Sequence, residues 1–195
     1  MIQKRCLATG VNSECHLFEP LPACFEILRH KFQVSDVVLN CFAASDREGT
    51  ATIYFDEKTS SLASLYRRDL DLFDIHLNQS QKIKLRRMDK YIVEHNIIHI
   101  DLVKIDVEGH ELKVLQGFGD YLNGRFIDFI QFEYGGSNLD SNTSLRQMYK
   151  LLLTRGFILA KMMPKGLEVR DYAPFMEHFC YSNYVAVSER VIGVC

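Results

Sequence analysis

The chain has 195 residues, 47% hydrophobic and 25% charged, enough for one substantial core, and a single domain over 1–195 is the expectation. A formal net charge of -2 and a pI near 6.4 give no electrostatic reason to expect nucleic acid or an anionic membrane as partner. No apolar run approaches the ~18 residues that cross a bilayer, and Met1-Ile2-Gln3-Lys4-Arg5 lacks the apolar core of a signal peptide, so a soluble cytoplasmic protein is expected.

In chain order, short β-branched or aromatic runs alternate with helical periods, the pattern of an α/β domain with a mostly parallel sheet. Strands are predicted at Cys15 to Phe18, Val37 to Ala43, Ala51 to Phe55, Asp101 to Val107, Phe126 to Phe132, Phe157 to Met162 and Tyr181 to Val187. Leu21 to Phe32 reads as a helix with Phe25, Leu28 and Phe32 on one face and prolines only at its entry. Asp46-Arg47-Glu48-Gly49 reads as a turn into the next strand. The polar stretch Thr59 to Ser80 is either a helix or a loop lying over a site. A helix opens at Ser144, where Gln147 completes a capping box, carries Leu145, Met148 and Leu152 as its stripe, and stops at Gly156.

Six cysteines, at positions 6, 15, 24, 41, 180 and 195, form no Cys-x-x-Cys pair, which fits neither a zinc ribbon nor a redox site. Cys41, inside the apolar run 37–44, reads as a small core residue. The basic pairs Arg67-Arg68 and Arg86-Arg87 read as solvated faces.

The densest acidic constellation is Asp106-Val107-Glu108-Gly109-His110-Glu111, directly after the apolar run Ile100 to Ile105. Ligands of open α/β sheets bind outside the carboxyl ends of the strands, which places Asp106 at the mouth of a cleft. Glu108 is predicted to begin the following helix, and Glu111 reads as a first-turn acid that complements the helix dipole. His110 is either a general base beside three carboxylates or a single exposed histidine at a helix start. Lys104 reads as a structural partner for Asp106 or Glu133. Glu19, followed by Pro20, ends a strand and offers two acceptor oxygens to ribose hydroxyls. Ala44-Ser45-Asp46 follows the next strand, where a short polar side chain can meet an adenine amine, although Asp46 could equally be a turn residue. Glu133 closes a third strand.

Phe18-Glu19-Pro20-Leu21-Pro22, Ala43-Ala44-Ser45-Asp46 with Gly49, Met88-Asp89-Lys90-Tyr91, and Leu102 to Glu111 with Leu115 and Gly117 resemble FkbM-type methyltransferases in order and spacing, as does the closing Asn183-Tyr184-Val185-Ala186. The resemblance implies a Rossmann-like class I methyltransferase sheet with helices on both faces. It also implies transfer of a methyl group from S-adenosylmethionine, commonly to a hydroxyl of a small molecule or glycan. By position, Glu19 would hold the ribose, Ser45 and Asp46 would border the adenine, Pro20 and Ala44 would belong to the same cofactor site, and Asp106 would face the reacting methyl, with Asp106, Glu108 or His110 as the base. No resident metal is implied; Asp106 and Glu133 offer only two oxygen ligands.

The family's first strand, ending Asp-Val-Gly-Ala-Asn-x-Gly, has no counterpart in 1–15, where Ile2 to Ala8 reads as a helix end stopped by Gly10. The first central strand is therefore expected to be absent, leaving its neighbours with unpaired backbone groups unless they close the gap. The sequence is either a piece of a longer reading frame or a degenerate relative. Two further readings stand beside the enzyme: a catalytically inactive binding or assembly module on the same scaffold, and a metal-dependent hydrolase using Asp106, Glu108, His110 and Glu133.

Overall fold

The alternation in Ile130, Phe132 and Tyr134 puts three fully buried side chains on one face of a strand and Gln131 and Glu133 on the other, and the largest sheet is built around that strand. The computed structural model describes residues 14–32, 37–57 and 61–193; the helix end read over Ile2 to Ala8 lies outside them. In order, the elements are β1 (Cys15–Phe18), α1 (Pro22–Lys31), β2 (Val37–Asn40), β3 (Ala43–Ser45), β4 (Gly49–Phe55), β5 (Gln79–Arg87), α2 (Met88–Glu94), β6 (Ile100–Ile105) and α3 (Glu111–Gly117). There follow β7 (Ile127–Tyr134), α4 (Ser137–Asp140), α5 (Leu145–Leu153), β8 (Phe157–Met163), β9 (Gly166–Val169), β10 (Ser182–Ser188) and α6 (Glu189–Ile192).

Among the described residues the strands form three sheets. A five-stranded sheet runs β6-β7-β10-β8-β9, with β6 parallel to β7 and β10 antiparallel to both β7 and β8. A three-stranded sheet runs β3-β5-β4, and β1 pairs in parallel with β2, its one strand partner among the described residues. Among the described residues, β1 and β6 are therefore both edge strands. The main core lies against the large sheet, where Phe132 and Tyr184 stack at 5.7 Å and the buried Leu145, Met148, Tyr149 and Leu152 of α5 cover them. A smaller core of Leu21, Ile53, Phe55, Ile83 and Leu85 fills the three-stranded sheet. Among the described residues no helix is long and apolar enough to cross a membrane.

The α5 expectation is met atom by atom: Ser144 Oγ accepts Gln147 N–H at 3.3 Å, Gln147 Oε1 accepts Ser144 N–H at 2.8 Å, and Gly156 has φ +79°. The single strand predicted over Val37 to Ala43 is instead two. Asn40 ends β2 by donating its side-chain amide to the Leu17 and Val38 carbonyls and to Tyr91, and the chain turns at Cys41 and Phe42 to pair with β5. That break buries Phe42 and leaves Cys41 exposed, so Cys41 is not the core residue expected; the partial desolvation that remains and the nearby Glu19 and Glu26 carboxylates raise its thiol pKa. Two strands were not predicted. β5 carries only Ile83 and Leu85 as buried residues among lysines and glutamines, and β9 is exposed throughout, so neither shows a long apolar alternation. The stretch from 61 to 78 is mainly irregular, with one 3₁₀ turn at Asp71–Phe73.

Candidate active site at the tip of the sixth strand

β6 delivers Asp106 into a turn rather than into a helix. Glu108 has φ +49° and Gly109 φ +100°, and α3 begins only at Glu111, which corrects the expectation that Glu108 opens the helix. The turn brings Asp106 and Glu108 beside Glu133 near the end of the neighbouring β7, with one carboxylate oxygen of each within 4.8 Å of the others. Asp106 is half exposed, not buried, and takes an ion pair from Lys104 at 2.8 Å. Glu108 is only 13% exposed and is held by Arg68 at 2.6 Å. Burial raises the pKa of both glutamates, as do the neighbouring acids, against the opposing pull of Arg68 and, at Glu133, Lys104. Such an oxygen-only cluster suits a hard divalent cation in kind, yet Lys104 and Arg68 already neutralise two of its members.

His110, the next residue after the turn, leaves this cluster and enters the protein. It is 8% exposed, with Nε2 3.0 Å from Ser45 Oγ and Nδ1 3.0 Å from the Tyr66 hydroxyl. Ser45 Oγ donates to Asp46 Oδ1 at 3.2 Å, and Lys113 Nζ approaches Asp46 Oδ2 at 2.9 Å. Burial disfavours the Asp46 anion, but the Lys113 ammonium and the Ser45 hydroxyl outweigh it and lower the carboxyl pKa. With Asp46 ionised and able only to accept, Ser45 spends its proton there, so Nε2 must carry the imidazole proton and Nδ1 must accept from Tyr66. Burial lowers the pKa of His110 to about 4. It is therefore neutral at neutral pH and fully hydrogen bonded, unlike either the titrating base or the exposed histidine the sequence offered. Of the four residues named for a metal-dependent hydrolase, Asp106, Glu108 and Glu133 come together and His110 does not join them.

Of the expected cofactor residues, Ser45 is fully enclosed, and Gly117 explains how tightly: a Cβ there would fall 2.1 Å from the Ser45 carbonyl oxygen. Its hydroxyl serves His110 and Asp46, which leaves Asp46, with 29% of its side chain exposed, as the accessible polar group after β3. Ala44 and Pro20 are half-buried. Glu19 follows β1 and belongs to neither cluster; Oε1 accepts Leu21 N–H at 2.9 Å, and burial raises its pKa.

Three residues from the irregular stretch were missed. Ser64 donates to the Glu108 carbonyl at 2.7 Å, Tyr66 bonds His110, and Arg68 joins Glu108, the Tyr181 hydroxyl at 3.1 Å and Asp140 at 3.6 Å. Arg68 is 3% exposed, so it is not a solvated face, and Arg67 lies over the Tyr54 ring at 5.0 Å. Arg86 pairs with Glu94 and covers Phe42, and Arg87 pairs with Asp89. The alternation Ser64-x-Tyr66-x-Arg68 was the available signal, since an extended segment presents such residues to one side.

A protein-family profile described as the methyltransferase FkbM domain matches residues 3–159, a span containing β1 to α5 and every residue of both clusters. The chain belongs to the FkbM methyltransferase family. A protein of Beauveria bassiana (strain ARSEF 2860) named Methyltransferase 1 is 25% identical over 173 residues, which cover 80% of this chain and 65% of that relative. No solved structure matches. The turn after β6 and the neighbouring Glu133 lie inside the span that matches the family.

Proposed function

We propose that this chain is an S-adenosylmethionine-dependent methyltransferase acting on a hydroxyl of a small molecule or glycan. The family match over 3–159 carries the reading. The topology supports a Rossmann-like class I sheet: parallel β1-β2 and β6-β7, with an antiparallel β10 between β7 and β8. Among the described residues β1 and β6 are edge strands, the two positions that neighbour the first central strand in that architecture.

Glu19 and Asp46 are carboxylates of the kind that ribose hydroxyls and an adenine amine require, and both follow strands of the β1-β2-β3 region. Bound there, S-adenosylmethionine supplies an electrophilic methyl on a sulfonium. The protein's work is then to align the acceptor oxygen and take its proton. Asp106 is the candidate that the contacts favour as base: its carboxylate is half exposed, whereas Glu108 is locked to Arg68 and His110 is consumed internally. Lys104 donates to Asp106 Oδ2 and so directs that carboxylate.

Isothermal titration of the full chain with S-adenosylmethionine tests the reading. Micromolar binding is expected; no heat at millimolar ligand would contradict it and leave a scaffold without its cofactor.

A further inference from the structure

The proposed mechanism does not use Glu111, yet it is 1% exposed. A buried carboxylate persists only where its oxygens find donors. Oε1 accepts Gly109 N–H at 3.1 Å and, at the longer distance of 3.4 Å, Val107 N–H. Oε2 faces Asn138 Nδ2 at 3.4 Å, and Asn138 is fixed in turn by Thr143 Oγ1 at 2.9 Å and by Gly135 N–H at 2.8 Å. Val107 follows Asp106, and Gly109 follows Glu108. One oxygen therefore holds the amide next to each of the two acids at the strand tip.

The turn needs such a hold. Glu108 sits in the left-handed region, which a side chain disfavours, and Gly109 follows it there. The same turn presses on α4 so closely that a Cβ on Gly109 would lie 2.6 Å from the Ser137 carbonyl oxygen. Helix-dipole complementarity accounts for an acid at the start of α3, but not for its burial or for donors converging from two sides.

We propose that Glu111 is a positioning residue, clamping the strained turn after β6 against α4 and so setting the directions of the Asp106 and Glu108 side chains. The clamp stands on geometry alone; its consequence for methyl transfer rests on the function proposed above.

The test compares the full-length wild type with Glu111→Gln, which keeps an acceptor oxygen, and Glu111→Leu, which has none. Amide exchange and carboxyl carbon signals are read by NMR, with S-adenosylmethionine affinity by calorimetry. In Glu111→Leu the Val107 and Gly109 amides should exchange at least about tenfold faster, and the Asp106 and Glu108 carboxyl signals should move. Glu111→Gln should restore protection to within about threefold, and both variants should keep the cofactor affinity within about threefold. Should Glu111→Leu fail to fold, the wild type decides: these two amides must exchange nearly as slowly as those of β7 although they lie in a turn. Wild-type exchange as fast as an exposed turn, or Glu111→Gln as loose as Glu111→Leu, overturns the clamp. A wild type that ignores S-adenosylmethionine removes the functional reading and leaves the exchange comparison intact.

Discussion

Burial drives two neighbouring residues in opposite directions. His110 has its pKa lowered to about 4 from 6.5, and Glu111 has its raised to about 7 from 4.5. For His110 the unfolded chain binds the proton more tightly, so its contribution to stability is present above pH 6.5 and is lost as pH falls to 4. For Glu111 the folded chain binds it more tightly, so its contribution is full below pH 4.5 and is lost as pH rises to 7. The two slopes oppose each other between 4.5 and 6.5. Relative to wild type, His110→Asn should therefore lose stability as pH rises through that window, and Glu111→Gln should gain it, each by a few kcal/mol in urea unfolding. Parallel curves for all three proteins would show that neither group is perturbed by its burial. At the same scale, Asp106→Asn should slow methyl transfer by about a hundredfold or more while leaving cofactor affinity unchanged; an equal loss of both would make Asp106 a binding residue. The position of Asp106 at the end of β6 was readable from the apolar run before it. The burial of Glu111 was not, because a first-turn acid looks the same in sequence whether water or α4 lies beside it.

Among the elements, the segment from Ser64 to Arg68 acts as a strap over the turn after β6, fastened by hydrogen bonds to the Glu108 backbone, the His110 ring and the Glu108 carboxylate. Arg68→Met should cost about 3 to 5 kcal/mol, since it leaves Glu108 enclosed without its cation. Tyr66→Phe should cost about 1 kcal/mol through one lost hydrogen bond. Thermal unfolding separates the two, and equal small effects would mean that the strap does not hold the turn. Legibility differs in the same way among elements. The start of α5 is written locally in Ser144 and Gln147, and Ser144→Ala should cost roughly 1 kcal/mol. The strap and β5 depend on partners distant in the chain: β5 is a strand because β4 pairs with Gln79 to Leu85 and β3 with Leu85 to Arg87, not because of its own two apolar residues.

Across the whole molecule, strand polarity and strand tips make one argument. Parallel β6 and β7 send Asp106 and Glu133 to the same end of their sheet, and Glu19 follows the end of β1 in the parallel β1-β2 pair. This much followed from the sequence because each acid sits where an apolar run stops. The division into three sheets was harder to read, since the change of partner at Cys41 and Phe42 lies inside a run that looks continuous. The most direct test of the account is amide chemical-shift mapping as S-adenosylmethionine is added to the full chain. The account predicts changes at Glu19, at Ala44 to Asp46 and at Asp106 to Gly109, with the β8-β9 hairpin silent. Shifts centred on that hairpin, or none at saturating cofactor, would contradict it.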